Sequence, residues 1–587
     1  MSQVHHEDAT TTAPHPEQGQ NDVYLRSWRL AVVITSLCFG ILLLGLDMNI
    51  IGVAIPRITT DFRSLGDIAW YGSAYLLTIT AFQPLFGNLY KFFNAKTVYL
   101  VSLILFEVGS VICAAAPYSA ILIFGRAFLG FGAAGLLQGA LAIIGLSVEL
   151  DQIPLYQGIV VSSLGISVCL GPILGGVLTD HASWRWCFWI NVPVGVCVIV
   201  VVFLFVQIND QSSNQANRML ALRQKLNHMD GLGTALFLGA VCCLLLVLQM
   251  GGREWAWRDS RSIGLFVGFA ALTACFAAWQ WRRGDRAIIP FRILRRRSIG
   301  MGALVLFSLG MSSQTYAYYL PIFFQSAQRV STTESGVRFI ALVLPQIVGL
   351  VIVGAVVTKW GYYVPYMLAG VVVTSIGAGF LTTIDTTTPT PVWAAFMVIN
   401  GLGIGMAQQL PYTALQAVLE PEDVATGNAI AVFSYQLGGA LGVALGQTLL
   451  LAKLATAVPS HTHGAVSAPQ VISAGATGLG QIAPTAEVLR ALRSAYAEAV
   501  RDPLILALAA ACMAFPFAAA MERLNIKRIA EERKRRLEEE EKGTNSVEAE
   551  GGTGSGSEMK KDDSRKLMGV VGPPREKNAV EAGESGV

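Results

Sequence analysis

From Leu30 to Met521 the chain alternates long apolar stretches with short polar or charged connections. Fourteen such stretches can be drawn, at 30–55, 69–90, 98–116, 120–148, 156–179, 185–207, 231–250, 263–281, 298–324, 337–358, 363–384, 392–417, 425–452 and 503–521. A helix that crosses a bilayer core needs about 20 apolar residues. In hydrocarbon its backbone groups must be satisfied within the segment, which selects helices over open strands. The pattern predicts an all-α polytopic membrane protein with fourteen transmembrane helices.

The connections predict orientation. One set carries Lys91 and Lys96, then Arg218, Arg223 and Lys225, then Arg282, Arg283, Arg286, Arg292 and Arg295 to Arg297, then Lys359, then the basic run from Arg523 to Arg536. The alternate set is poorer in Lys and Arg in its short loops, the one after Ala116 having no charge and the one after Ile384 only Asp385, although 253–261 carries three arginines. Positive loops stay in the cytosol, so both termini are expected there. The N-tail, 1–27, lacks a basic and apolar signal pattern; its His5 and His6 read as part of a disordered polar tail, not a metal site. The C-tail, 523–587, is polar and too poor in apolar residues to fold, except for a helical-looking RIAEERKRRLEEEEK. Loop 453–502 is the largest expected on the outer face. Within it 485–500 has helical apolar spacing, which suggests an interfacial helix.

Composition narrows the class. Of 587 residues 53% are hydrophobic and 14% charged, with a mean hydropathy of +0.53; soluble domains carry about 25% charged residues. A net charge of +3 gives no reason to expect a nucleic-acid partner. The nine cysteines lie in apolar stretches without CxxC spacing and read as small hydrophobes. No Walker-type loop, hydrolytic triad or TVGYG-like filter occurs, so neither an ATP-driven pump, an enzyme nor a selective ion channel is expected.

Glycines suggest an internal repeat. Gly130 and Gly403, Gly132 and Gly405, and Gly165 and Gly438 share an offset of 273 positions (403 − 130). Gly87 and Gly354 form another pair at a shorter spacing. The expected halves are 28–207 and 298–522, each with six helices, joined by a 208–297 linker that holds two more. Repeats of this kind mark secondary transporters, with the site between the halves.

Ionisable residues at membrane depth are costly unless they work or are paired. Asp47, in LDMNIIGVAIPRI, suits a proton-coupling group, charged when open to one side and neutral when sealed; the alternative is simple solvation near the outer headgroups. Arg126, in FGRAFLGFGAAG, needs an acceptor, for which Asp47 or backbone carbonyls serve; its rival role is a structural tether. Glu107 is either a second protonatable site or a neutral acid donating to a neighbouring helix. Gly165, Gly171, Pro172, Gly175 and Gly176 form a smooth, kinked face suited to bending against the opposite half. Asn49, Gln138, Gln314, Tyr318, Gln408 and Tyr412 are candidate cavity residues, a set suited to bulky, mostly apolar ligands. No catalytic or metal-ligating group stands out.

Taken in order, these segments resemble the major facilitator superfamily, specifically its fourteen-span drug:proton antiporters and the fungal toxin and secondary-metabolite efflux pumps among them. LDMNIIGVAIPRI at 46–58, FEVGSVICAAAP at 106–117, GRAFLGFGAAG at 125–135, GISVCLGPILGG at 165–176, WRWCFWINVP at 184–193 and YYLPIFFQ at 318–325 carry the resemblance. One motif departs: where the superfamily has Gly-x-x-x-Asp-(Arg/Lys), this chain has Gly87-Asn-Leu-Tyr-Lys, so a gating latch built on that Asp must work differently. The resemblance implies a major facilitator fold of two six-helix halves with two additional helices between them. It also implies a monomeric, cofactor-free exporter of small molecules across the plasma membrane, driven by protons. Related fourteen-span proteins suggest vacuolar transport of basic amino acids or siderophore transport instead, and a non-transporting receptor is a third possibility.

Overall fold

The computed structural model describes residues 28–62, 67–149, 151–206, 230–251, 255–284, 287, 289–420, 423–474 and 478–536. The expectations for the N-tail, for linker residues 207–229 and for the tail beyond 536 lie outside the described residues.

The first half contains α1 (Trp28–Phe62), α2 (Ile68–Ala81), α3 (Gln83–Phe92), α4 (Ala95–Ala114), α5 (Ser119–Ser147), α6 (Ile153–His181), α7 (Trp186–Trp189) and α8 (Asn191–Phe205). Two inserted helices follow, α9 (Gly231–Met250) and α10 (Ser260–Arg283), then a short α11 (Phe291–Leu294). The second half has α12 (Arg297–Ala327), α13 (Thr332–Trp360), α14 (Val364–Leu381), α15 (Thr390–Gln408), α16 (Leu410–Val418), α17 (Val424–Thr462), α18 (Ala468–Ala474), α19 (Leu479–Ile482) and α20 (Ala486–Ala519). Local sequence explains several ends. Asn94 caps α4 by accepting from the Lys96 and Thr97 amides, and Gly361, at φ 80°, ends α13 in a conformation that suits glycine. A proline in the first turn accompanies the breaks before α3 and α16. The axis of α6 turns by 43° between Val168 and Ile173, across the expected Gly171-Pro172 kink.

Eleven helices among the described residues are long and apolar enough to cross a membrane, or twelve if the bent α6 is one span. The two expected spans outside that number are also helical. One is broken into α2 and α3, and the other, α12, is diluted by serines, Gln314 and tyrosines.

The halves repeat one packing scheme. α1 lies along α6 as α12 lies along α17; α4 lies along α5 as α14 along α15; α2 meets α5 as α13 meets α15. The glycine contacts correct the repeat's register. Gly171 and Gly175 abut Asn49 and Ile50 of α1, while Gly442 and Gly446 abut Met311 and Tyr319 of α12. Gly132 meets α4 as Gly403 meets α14, and Gly130 meets α2 as Gly401 meets α13. The structural offset is therefore 271 positions (442 − 171), not 273. Glycine is common enough that a two-residue slip still pairs glycine with glycine. The Gly87 and Gly354 pair holds: Gly87 of α3 faces Ala429 of α17, and Gly354 of α13 faces Pro154 of α6, the two equivalent contacts between halves.

Expectations for the largest loop also change. α17 continues to Thr462 and α20 begins at Ala486, so segment 485–500 belongs to the spanning helix and is not a separate interfacial one. Its apolar stripe, with Leu492, Ala495 and Ala499 fully buried, packs on Leu454, Val458 and Val471. Glu498 binds Lys453 at 2.9 Å and His461 at 2.8 Å. At 39 residues α17 is about 58 Å long, well beyond a bilayer core of about 30 Å. Residues 526–536 are helical, which takes in the described part of the helical-looking stretch RIAEERKRRLEEEEK.

α9 bridges the halves. Phe237 is wedged between Ala81 of α2 and Phe433 of α17, its ring 5.1 Å from that of Phe433. Asp230 caps α9 and accepts from the Trp279 indole at 2.7 Å, which holds α9 to α10.

Candidate functional site

Arg126 lies two turns into α5, on the side of the molecule opposite the basic loops, and Asp47 faces it from α1. Both side chains are buried, at 1% and 0% exposure. Arg126 Nη1 donates to Asp47 Oδ2, and Nε donates to the Tyr71 carbonyl at 2.8 Å. The guanidinium lies 4.6 Å over the Tyr75 ring, whose hydroxyl donates to the Leu44 carbonyl at 3.3 Å. This Arg is thus held by a charge, a carbonyl and an aromatic face, the combination its planar fork suits. Asp47 Oδ1 has no hydrogen-bond partner among the described residues. Removing either member of such a buried pair strands the other charge.

Glu107 is apart from this contact. It is 7% exposed on α4 and presses on Gly195 of α8, where a Cβ would clash with its carboxyl. Neither carboxyl oxygen has a partner among the described residues, so the expected donation to a neighbouring helix is not seen. One turn along, Ser110 donates to the Phe188 carbonyl and accepts from Asn191, both at 2.9 Å.

The kinked face of α6 divides its contacts. Gly165 meets Val343 and Ile347 of the opposite half, but Gly171 and Gly175 pack on α1 of their own half. Gly176 is half-buried.

The six candidate cavity residues serve different contacts. Asn49 donates back to the Gly45 carbonyl at 2.7 Å. Gln138 crosses the interface and donates to the Ala425 carbonyl at 2.7 Å. Gln408 accepts from Gln346 at 2.9 Å, joining α15 to α13. Gln314 packs on Gly439, Tyr412 is buried beside Leu141 and Leu306, and Tyr318 is 45% exposed.

Sequence reasoning missed the strongest contact between the halves. Asp423, at the start of α17, accepts from Lys91 Nζ of α3 at 2.9 Å and from Arg292 Nη2 of α11 at 2.6 Å. Burial pushes this carboxyl up, but hydrogen bonds and charge from Lys91 and then Arg292 outweigh it and hold the group below the usual carboxylate range. Deeper in, Gln409 donates to Gln157 across the interface at 2.9 Å. Together with Gln138, these contacts close the basic end of the cleft between the halves. An acid opening a span among basic loops was the available signal; its partners lie 332 and 131 residues away.

A sequence profile of the Major Facilitator Superfamily matches residues 37–443 and, a second time, 302–523. The chain is 43% identical over 499 residues to the MFS-type efflux pump MFS1 of Trichophyton rubrum, covering 85% of this chain and 92% of that one. It is 39% identical over 480 residues to the aspyridones efflux protein of Neocamarosporium betae, covering 82% and 85%. Among solved structures, the proton:xylose symporter XylE has a TM-score of 0.53 at 13% identity, over 85% of this chain and 99% of that chain. That likeness concerns the fold.

Proposed function

The chain belongs to the major facilitator superfamily, and from that premise we propose that it exports small, mostly apolar molecules in exchange for protons, using the Asp47–Arg126 pair. It is a multi-pass membrane protein, a transporter by family, and relatives at 37–43% identity are named as efflux pumps or transporters. The observation that carries the coupling is a fully buried acid–base pair in one half, in a molecule whose halves are latched at one end.

On this reading fourteen helices cross the membrane and the basic end is cytosolic. The latched molecule then faces outward. A proton taken up from outside neutralises Asp47 and frees Arg126 from its counter-charge. The halves rock, the Lys91–Asp423–Arg292 contact breaks and cargo enters from the cytosol. Loss of the proton to the cytosol re-forms the pair and returns the molecule to the outward state. Each proton supplies about 2.3 kcal/mol per 100 mV and about 1.4 kcal/mol per pH unit. That is enough for a several-hundredfold gradient of a neutral cargo. We place the protein in the plasma membrane as a monomer, with no cofactor beyond the proton gradient.

The test uses proteoliposomes loaded with a neutral fluorescent dye, under an imposed pH gradient. Export should rise with the gradient and collapse when a protonophore is added. Dye movement indifferent to the gradient would refute the coupling.

A further inference from the structure

Where the halves close at the basic end, the interface is built of side-chain amides. The first half contributes Gln138 of α5 and Gln157 of α6; the second contributes Gln409 of the α15–α16 junction, Gln416 of α16 and, one turn along α17 from the Ala425 that Gln138 meets, Asn428. Each is buried, from 0% to 4% exposed. Two cross-half hydrogen bonds use part of their capacity: Gln138 to the Ala425 carbonyl and Gln409 to Gln157. Gln416 reaches across to Gly145 of α5, where its Oε1 would lie 3.9 Å from an added Cβ.

Much of the capacity is unused. Both polar atoms of Gln416 and both of Asn428 lack a partner among the described residues, as do Gln138 Oε1, Gln157 Nε2 and Gln409 Oε1. Buried amides are ordinarily hydrogen-bonded, and leaving one unmatched is costly. Apolar residues would close this seam at lower cost, as they do nearby with Leu141, Leu415 and Ile430. The spare groups include both donors and acceptors and carry no charge.

We infer that this amide layer is a recognition site for cargo, exposed when the basic end opens. It selects neutral molecules that carry both hydrogen-bond donors and acceptors, such as lactams, amides or hydroxy-ketones. Charged molecules find no counter-ion in these five side chains, and purely apolar ones leave the amides unmatched. The inference rests on the export reading for its direction of travel, but recognition itself requires no gradient. Gln416 and Asn428 are the specificity-determining residues because all four of their polar atoms are free to meet a ligand.

The test is equilibrium binding to the purified full-length chain in lipid nanodiscs, without a pH gradient. Two matched fluorescent probes serve, 7-amino-4-methylcoumarin and its 7-dimethylamino analogue, which share a ring but differ in N–H donors. In the Gln416→Leu/Asn428→Leu protein, the affinity ratio of the amino to the dimethylamino probe should fall about five- to tenfold, one or two hydrogen bonds' worth. A ratio preserves the comparison if the substitutions merely favour the closed state, because that change scales both affinities alike. Should the double variant fail to fold, Asn428→Ala alone should shift the ratio in the same direction. An unchanged ratio, or no binding of the amino probe to the unaltered protein, overturns the inference. Failure of gradient-driven export alongside the expected ratio change would sink the export reading and leave the recognition site standing.

Discussion

Replacing Asp423 by Asn removes one charge from the latch and keeps the shape of the side chain. A hydrogen bond to a charged group contributes about 1.5–3 kcal/mol net. Lys91 is 17% exposed, so its contact belongs near the bottom of that range. Arg292 is 49% exposed, and solvent screening holds its share below about 1 kcal/mol. Asn retains some hydrogen bonding, which leaves a loss of about 2 kcal/mol, or roughly thirtyfold in the ratio of open to closed basic ends. Spin labels at the exposed positions Thr97 and Glu420, one on each half, would read that ratio by double electron–electron resonance. The exposed Cys197, Cys275 and Cys512 would first be replaced. The distance distribution should move from one short population to a mixture with a long one. An unchanged distribution would show that the charge does not hold this end shut. The carboxyl is held below its unfolded value of about 3.9. Such a group stabilises the closed state above that value and loses the contribution as pH falls through its folded value. Between pH 5 and 8 the latch should therefore be constant, and label distances from Asp423 variants and the parent should respond alike to pH in that window.

Asp47→Asn should abolish gradient-driven dye export and destabilise the protein by about 3–5 kcal/mol, read as a lower melting temperature; export against a gradient by this variant would remove the coupling assignment. Arg126→Lys keeps the charge but loses the planar fork that joins Asp47 and the Tyr71 carbonyl, so export should fall at least about tenfold; full activity would reduce Arg126 to a tether. Gly132→Val would drive a side chain into the α4 backbone, with the Phe106 nitrogen 2.5 Å from the new Cβ. It should cost about 3 kcal/mol or more, whereas Gly72→Ala, with nothing within 4 Å, should stay within about 0.5 kcal/mol in the same thermal assay.

The membrane helices were legible because each must satisfy its own backbone and present an apolar surface, and both demands are local. The Asp47–Arg126 pair was legible for a related reason: two ionisable groups at depth need each other, and few others were available. The repeat was legible in kind but slipped by two residues, because glycine marks a close approach without saying to which helix. Gly130 and Gly132 touch different neighbours, α2 and α4, and only their partners fix the register. Contacts between the halves were hidden. Lys91 and Asp423 look like ordinary loop charges, and nothing around Gln138 in the sequence points to Ala425, 287 residues away. Such pairings depend on how two bundles close, which no local pattern encodes. The long loop was misjudged because 485–500 carries charges that suggest a surface, although its apolar stripe binds the far end of α17.

The reach of α17 has a practical consequence. One uninterrupted rod begins beside the carboxylate that fastens the basic end and finishes in a small helical turret at the opposite end, braced by α20. Whatever unfastens the basic end must tip the turret too, so the transport cycle is displayed at the far end. An antibody fragment that grips the turret in one orientation would both report the conformation and stall the pump, without competing with cargo.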